Sequence, residues 1–95
     1  MSDAVEKGRR DDASVWDSSL RDLVDFLARG LVDHPEQVEV EEIEEDGSLV
    51  FELKVAEEDL GKVIGKQGRT AKALRTILSA ASAKSGRRVI LEILE

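Results

Sequence analysis

At Asp46-Gly47 the chain has to fold back on itself. A two-residue hairpin turn of type I′ needs positive φ at both central positions, and Asp followed by Gly meets that need. Beyond the turn, Leu49, Phe51, Leu53 and Val55 alternate with Glu52 and Lys54, the period of a strand with one buried face. Before it, Val38 and Val40 alternate with Glu39 and Glu41 in a strand read over residues 37–45. Ile43 falls out of phase, which predicts a bulge or an early strand end there. A lone two-stranded hairpin is marginal in water. The remaining chain must therefore cover its apolar face.

It has the means to do so. Trp16, Leu20, Leu23, Leu27 and Leu31 recur at helical spacing, with Val24 and Phe26 widening the stripe. The spacing predicts a helix from Ser14 to near Asp33, because Pro35 pushes His34 away from helical angles. Gly30 leaves room for a close neighbour. After the hairpin comes a short helix over about residues 57–63, with Leu60, Val63 and Ile64 as its apolar side. Gly65-Lys66-Gln67-Gly68 interrupts, and a second helix begins near Arg69, burying Ala71, Leu74, Ile77 or Leu78, and Ala81. Gly86 stops it. Residues 87–94 form a last strand, apolar on both faces, and its Ile90 and Leu94 together with Val50 of the second strand are read as exposed and able to form a dimer surface. The crossover through two helices sets this strand parallel to the second. The expected product is one α+β domain over residues 14–95, of order α-β-β-α-α-β. Its three-stranded mixed sheet carries all helices on one face. Residues 1–13 have no periodic face and are read as a flexible tail.

Charge narrows the function. The 95 residues carry a formal charge of −7, which argues against a general polyanion binder. The total hides a division, for residues 1–60 hold 19 acids against 6 bases, whereas residues 61–95 hold 2 acids against 8 bases. Either the basic segment meets a polyanion, or the halves neutralise each other in the fold. No apolar run approaches the roughly 20 residues of a membrane span, so no membrane contact is expected. The absence of cysteine excludes disulfides and accords with a reducing cytoplasm.

The chemistry concentrates at Gly65-Lys66-Gln67-Gly68. Two glycines three apart let the backbone turn sharply and admit another backbone closely. The loop presents amide N–H groups at a helix start, with Lys66 and Arg69 beside it, and a phosphodiester is the natural ligand. A plain turn between two helices is the other reading. A nucleotide P-loop is excluded: Gly61 and Gly65 have three residues between them rather than four, and Gln67 stands where Ser or Thr would hold magnesium. His34 is the only histidine and has no cysteine partners, so it reads as a surface loop residue. Glu39, Glu41, Glu42, Glu44, Glu45 and Asp46 lack the spacing of a calcium loop and read as a solvated face. No catalytic set, cofactor or metal site is expected.

The stretch LGKVIGKQGRTA, residues 60–71, resembles the signature of KH domains, in which an apolar pair precedes GxxG between two helices. The element order is that of the type II (bacterial) form. LVDHPEQVEVEE and DLGKVIGKQGRTAKALRTILSAAS are similar to the small single-domain bacterial KH proteins of the KhpA group, over residues 17–95. The resemblance implies non-catalytic binding of single-stranded RNA, with the GxxG loop clamping the backbone of about four nucleotides. Carried onto this chain, Gly65, Lys66, Gln67 and Gly68 hold phosphates. Lys62, Arg69 and Lys72 stand close by, and Val63 with Ile64 forms an apolar floor for bases. Arg75, Arg87 and Arg88 are left without an assigned role. Many KH domains carry a larger aliphatic residue where this chain has Ala71, which implies slighter base contacts. The resemblance also implies an RNA chaperone-type regulator that forms a homodimer or pairs with a larger KH protein of the KhpB type. A protein-interaction module with RNA binding secondary is the rival reading.

Overall fold

The chain reverses where the turn chemistry requires it: Asp46 (φ 47°) and Gly47 (φ 80°) both take left-handed angles. They join β1 (Glu39–Glu45) to β2 (Ser48–Lys54). The structure, a computed structural model, describes residues 13–95, and residues 1–12 of the segment read as a tail lie outside it. The strands pair antiparallel and one-to-one, from Glu39 opposite Lys54 to Glu45 opposite Ser48. The bulge or early end expected at Ile43 does not form. The strand runs on, and Ile43 turns outward opposite Val50.

β2 also pairs in parallel with β3 (Arg88–Ile93), so the sheet order is β1-β2-β3. The crossover between them holds α2 (Leu60–Ile64) and α3 (Arg69–Ser82), and α1 (Ala13–Leu31) precedes the hairpin. This is the α+β order α-β-β-α-α-β, with the helices gathered on one face. No helix among the described residues is long and apolar enough to cross a membrane.

Between sheet and helices lies one core. Leu49, Phe51 and Leu53 of β2, with Val40 and Leu91 beside them, meet Leu20, Val24 and Ala28 of α1, Val63 of α2, and Leu74 and Leu78 of α3. Each such side chain contributes about 1.5–3 kcal/mol when fully buried. Helical geometry corrects two expectations here. Phe26 does not widen the stripe of α1: two residues past Val24 it points about 200° away, and it stays 74% exposed. On α3 the buried set is Ala71, Leu74, Leu78 and Ser82, so Leu78 is chosen over Ile77 and Ser82 takes the place expected of Ala81. The Ser82 hydroxyl satisfies itself by donating to the Ser79 carbonyl at 3.1 Å.

Among the described residues no helix packs on the other face of the sheet, which is not uniform. Ile43, Val50 and Ile90 lie in one row across the three strands. Their mutual contact leaves Val50 only 5% exposed, which corrects its expected place on a free surface. A second row sets Glu41, Glu52 and Glu92 side by side. Three like charges in register cost some stability and repel a polyanion from this face.

Candidate nucleic-acid interface

α2 ends at Gly65, whose amide donates to the Gly61 carbonyl at 2.8 Å. Gly65 adopts φ 79° and ψ 170°, a conformation open in practice to glycine alone. A side chain there would collide with Thr70: a Cβ would lie 2.7 Å from the Thr70 backbone nitrogen and closer still to its hydroxyl. The loop closes by a hydrogen bond of 3.0 Å from the Gly68 amide to the Gly65 carbonyl. Gln67 (φ 57°) and Gly68 (φ 74°) are both left-handed, and Arg69 donates to the Gln67 Oε1 at 3.2 Å. α3 then starts at Arg69 with no side chain capping it. Its first amides and the positive end of its macrodipole sit beside the exposed Lys66 and Gln67.

The structure sorts the residues expected around this loop. Arg69 and Lys72 are exposed one turn apart on α3, on the loop's side. Lys62 is engaged, its ammonium lying 3.3 Å from the Asp33 carboxylate. Val63 is 0% exposed and belongs to the core, so it cannot form a floor for bases. Ile64 is half-buried and keeps some surface. Ala71 is buried as well, so that position does not face a ligand. Among the three arginines left unassigned, Arg75 donates to the Leu91 carbonyl at 3.3 Å and ties α3 to β3. Arg87 bonds Glu44 at 2.7 Å. Arg88 is exposed at the start of β3.

Two clefts flank α3. One, of about 240 Å³, runs between α3 and β3 and is lined by Arg75, Leu78, Ser79 and residues 88–91. Because β3 is an edge strand, this cleft sets basic side chains beside backbone not used by the sheet. The parallel order of β2 and β3, already expected from the crossover, was the signal for that edge. The other cleft, of about 620 Å³, lies between α1 and α3 and is almost wholly apolar, with Phe26, Leu27, Leu31, Ala73, Leu74 and Ile77 in its walls. Gly30 opens onto it, and a Cβ at that position would meet nothing within 4 Å, so the close approach expected there does not occur.

His34 is not a free surface residue. Its Nδ1 lies 3.0 Å from Asp59 Oδ2, and the Asp59 carboxylate also accepts the backbone amides of Asp33 at 3.2 Å and His34 at 2.9 Å. Asp59 is 1% exposed. The hydrogen bond to Asp59 raises the His34 pKa above its ordinary value against the opposing effect of desolvation, and the charges of Asp59, Glu58 and Glu36 add to the rise. Burial pushes the Asp59 carboxyl up, but its three hydrogen bonds outweigh that and hold it below its ordinary value. In sequence Asp59 looked like one more acid in a helical first turn, and nothing in the pattern marked it as buried.

The family model described as "KhpA/KhpB, KH domain" matches residues 21–93. RNA-binding protein KhpA of Aquifex aeolicus is 56% identical over 78 residues, covering 82% of this chain and 99% of that protein. RNA-binding protein KhpA of Clostridium acetobutylicum is 51% identical over 75 residues, covering 79% of this chain and 100% of that protein. Among solved structures, Era of Aquifex aeolicus bound to GDP and aluminium fluoride superposes with a TM-score of 0.56 at 26% identity, over 78% of this chain. This chain spans 29% of that structure's length.

Proposed function

Because the chain belongs to the KhpA/KhpB family of KH domains, we propose that it binds single-stranded RNA without catalysis, through Gly65-Lys66-Gln67-Gly68. The observation that carries this reading is the loop itself, a glycine-built turn that sets Lys66 and Gln67 in solvent against the uncapped start of a basic helix. The relatives bear the name RNA-binding protein, which supports the same ligand. Phosphates bind the loop, Lys66, Arg69 and Lys72, and bases reach toward the cleft between α3 and β3. The acidic row on the opposite face confines RNA to this side. Such a protein serves in the cytoplasm as an RNA chaperone-type regulator.

Replacing Lys66 and Gln67 together with Asp sets two negative charges at the phosphate site. The double variant is expected to melt with the parent, because both side chains are exposed, and to lose RNA affinity by roughly a hundredfold at low salt. With two to four phosphates neutralised, the parent's log–log salt slope is roughly −1.4 to −2.8. Parental affinity in the folded double variant refutes the loop reading.

A specific feature favours self-association as well. Phe26 (74% exposed) and Ile77 (42% exposed) flank the apolar cleft between α1 and α3. One face thus carries both a projecting ring and a cavity able to take one, as a two-fold contact requires. A second copy of this chain is the proposed occupant, in place of the surface expected at Val50, Ile90 and Leu94. Sedimentation is expected to give a dimer that becomes a monomer in Phe26→Glu, with the loop's RNA affinity per chain kept within about threefold. A parent that is monomeric at high concentration removes the homodimer. Pairing with a larger KhpB-type protein instead assigns the cleft to that partner.

A further inference from the structure

α2 is five residues long, too short to persist on its own intrahelical bonds, yet it carries the phosphate loop at its end. Its start is held from outside. Asp59 immediately precedes α2, and its buried carboxylate directs all three hydrogen bonds to Asp33 and His34, in the connection that leaves α1. One turn further on, Lys62 meets Asp33 at 3.3 Å and joins the same two segments. From there to Gly65 the backbone is continuous helix, so a shift at Asp59 carries into the loop.

We propose that the His34–Asp59 pair is a pH-responsive clasp that positions α2 and, through it, the loop that binds RNA phosphate. The proposal rests on the RNA-binding reading above. His34 is the only histidine of the chain, and imidazole is the side chain that titrates near neutrality. The charged groups around it are Asp59 and Glu58 on the turn before α2, Glu36 on the turn after Pro35, and the adjacent Asp33 with its partner Lys62. Acids predominate, so the imidazolium is the form this pocket favours. A charged ring makes a stronger hydrogen bond to the carboxylate than a neutral one. The signs follow from the two shifts. The contribution of His34, whose folded pKa is raised, is complete below its unfolded pKa and is lost as pH rises through the folded one. The contribution of Asp59, whose folded pKa is lowered, is present above its unfolded pKa and disappears only in acid, below the ordinary carboxylate range. The clasp is tight below the ordinary histidine pKa and slackens as pH rises through the raised one.

The test uses the full chain and a fluorescent single-stranded oligouridylate. Affinity is measured between about pH 6 and pH 8, and the amide shifts of Gly65 and Gly68 are followed in the RNA-free protein over the same range. The parent is expected to bind roughly threefold more tightly at the acidic end, and both glycine shifts are expected to track the His34 ring. His34→Gln, which replaces a partly exposed side chain and leaves the two backbone bonds to Asp59, is expected to fold and to flatten both responses. A His34→Gln protein that keeps the parent's pH slope overturns the proposal. So do glycine shifts that stay constant while His34 titrates. If the oligonucleotide does not bind at all, the RNA reading fails, and the glycine shifts still decide whether the clasp exists.

Discussion

Gly65→Ala is expected to lose RNA binding by more than tenfold and to lower stability by about 1–3 kcal/mol. Two independent costs meet at that position. Its φ of 79° with ψ of 170° lies outside the regions an L residue occupies at ease. In addition a Cβ would approach the Thr70 backbone nitrogen to 2.7 Å, and backbone at the start of α3 cannot swing aside as a flexible side chain can. Relief requires the loop to separate from α3, which withdraws the amides from the proposed phosphate site. Gly68→Ala is the control. Its φ of 74° and ψ of 14° are left-handed helical, a conformation that costs an ordinary residue about 1–2 kcal/mol, and its surroundings are open. Melting curves and RNA titrations of the two variants check the comparison. Equal tolerance at both glycines would show that contact with Thr70 does not shape the loop.

Phe51→Ala has the largest expected effect on stability, about 3–5 kcal/mol. Phe51 is fully buried on the central strand, paired with Glu42 on one side and Leu91 on the other. The cavity left behind would open where sheet and helices meet. A domain of this size has a total stability near the low end of about 5–15 kcal/mol. Such a loss lowers the melting temperature by roughly 15 °C or more. Measured on dilute monomer, so that the proposed contact between copies plays no part, Phe26→Ala, a change of the same chemistry on a residue 74% exposed in the single chain, is expected to stay within about 0.5 kcal/mol. Urea or thermal denaturation of the pair separates core from surface, and a mild effect at Phe51 would contradict the packing described for β2.

Most of the architecture was legible because it rests on local rules. Asp46-Gly47 dictates its own turn, the alternation from Leu49 to Leu53 dictates which face of β2 is buried, and Pro35 and Gly86 end helices by their own conformational limits. The loop was legible for the same reason, since two glycines around Lys66 and Gln67 state a backbone requirement directly. The errors share a different cause. Phe26 and Val63 are both apolar, and periodicity alone did not say which would be covered, just as it left Ile77 and Leu78 open. Val50 looked exposed because its strand alternates, yet Ile43 and Ile90 cover it from neighbouring strands. Those contacts exist only in the assembled sheet.

The order of elements, the hairpin, the glycine loop and the gathering of positive charge were already set in the amino-acid sequence. Each depends on residues close together in the chain. The assembled fold was needed to show that Asp59 is a buried carboxylate accepting hydrogen bonds from Asp33 and His34, about 25 residues away, that Lys62 is paired, and that the −7 charge includes a row of three glutamates on the other face of the sheet. Burial and charge pairing depend on which distant segments meet. That meeting is set by the packing of helices on a sheet, which no short stretch of sequence contains.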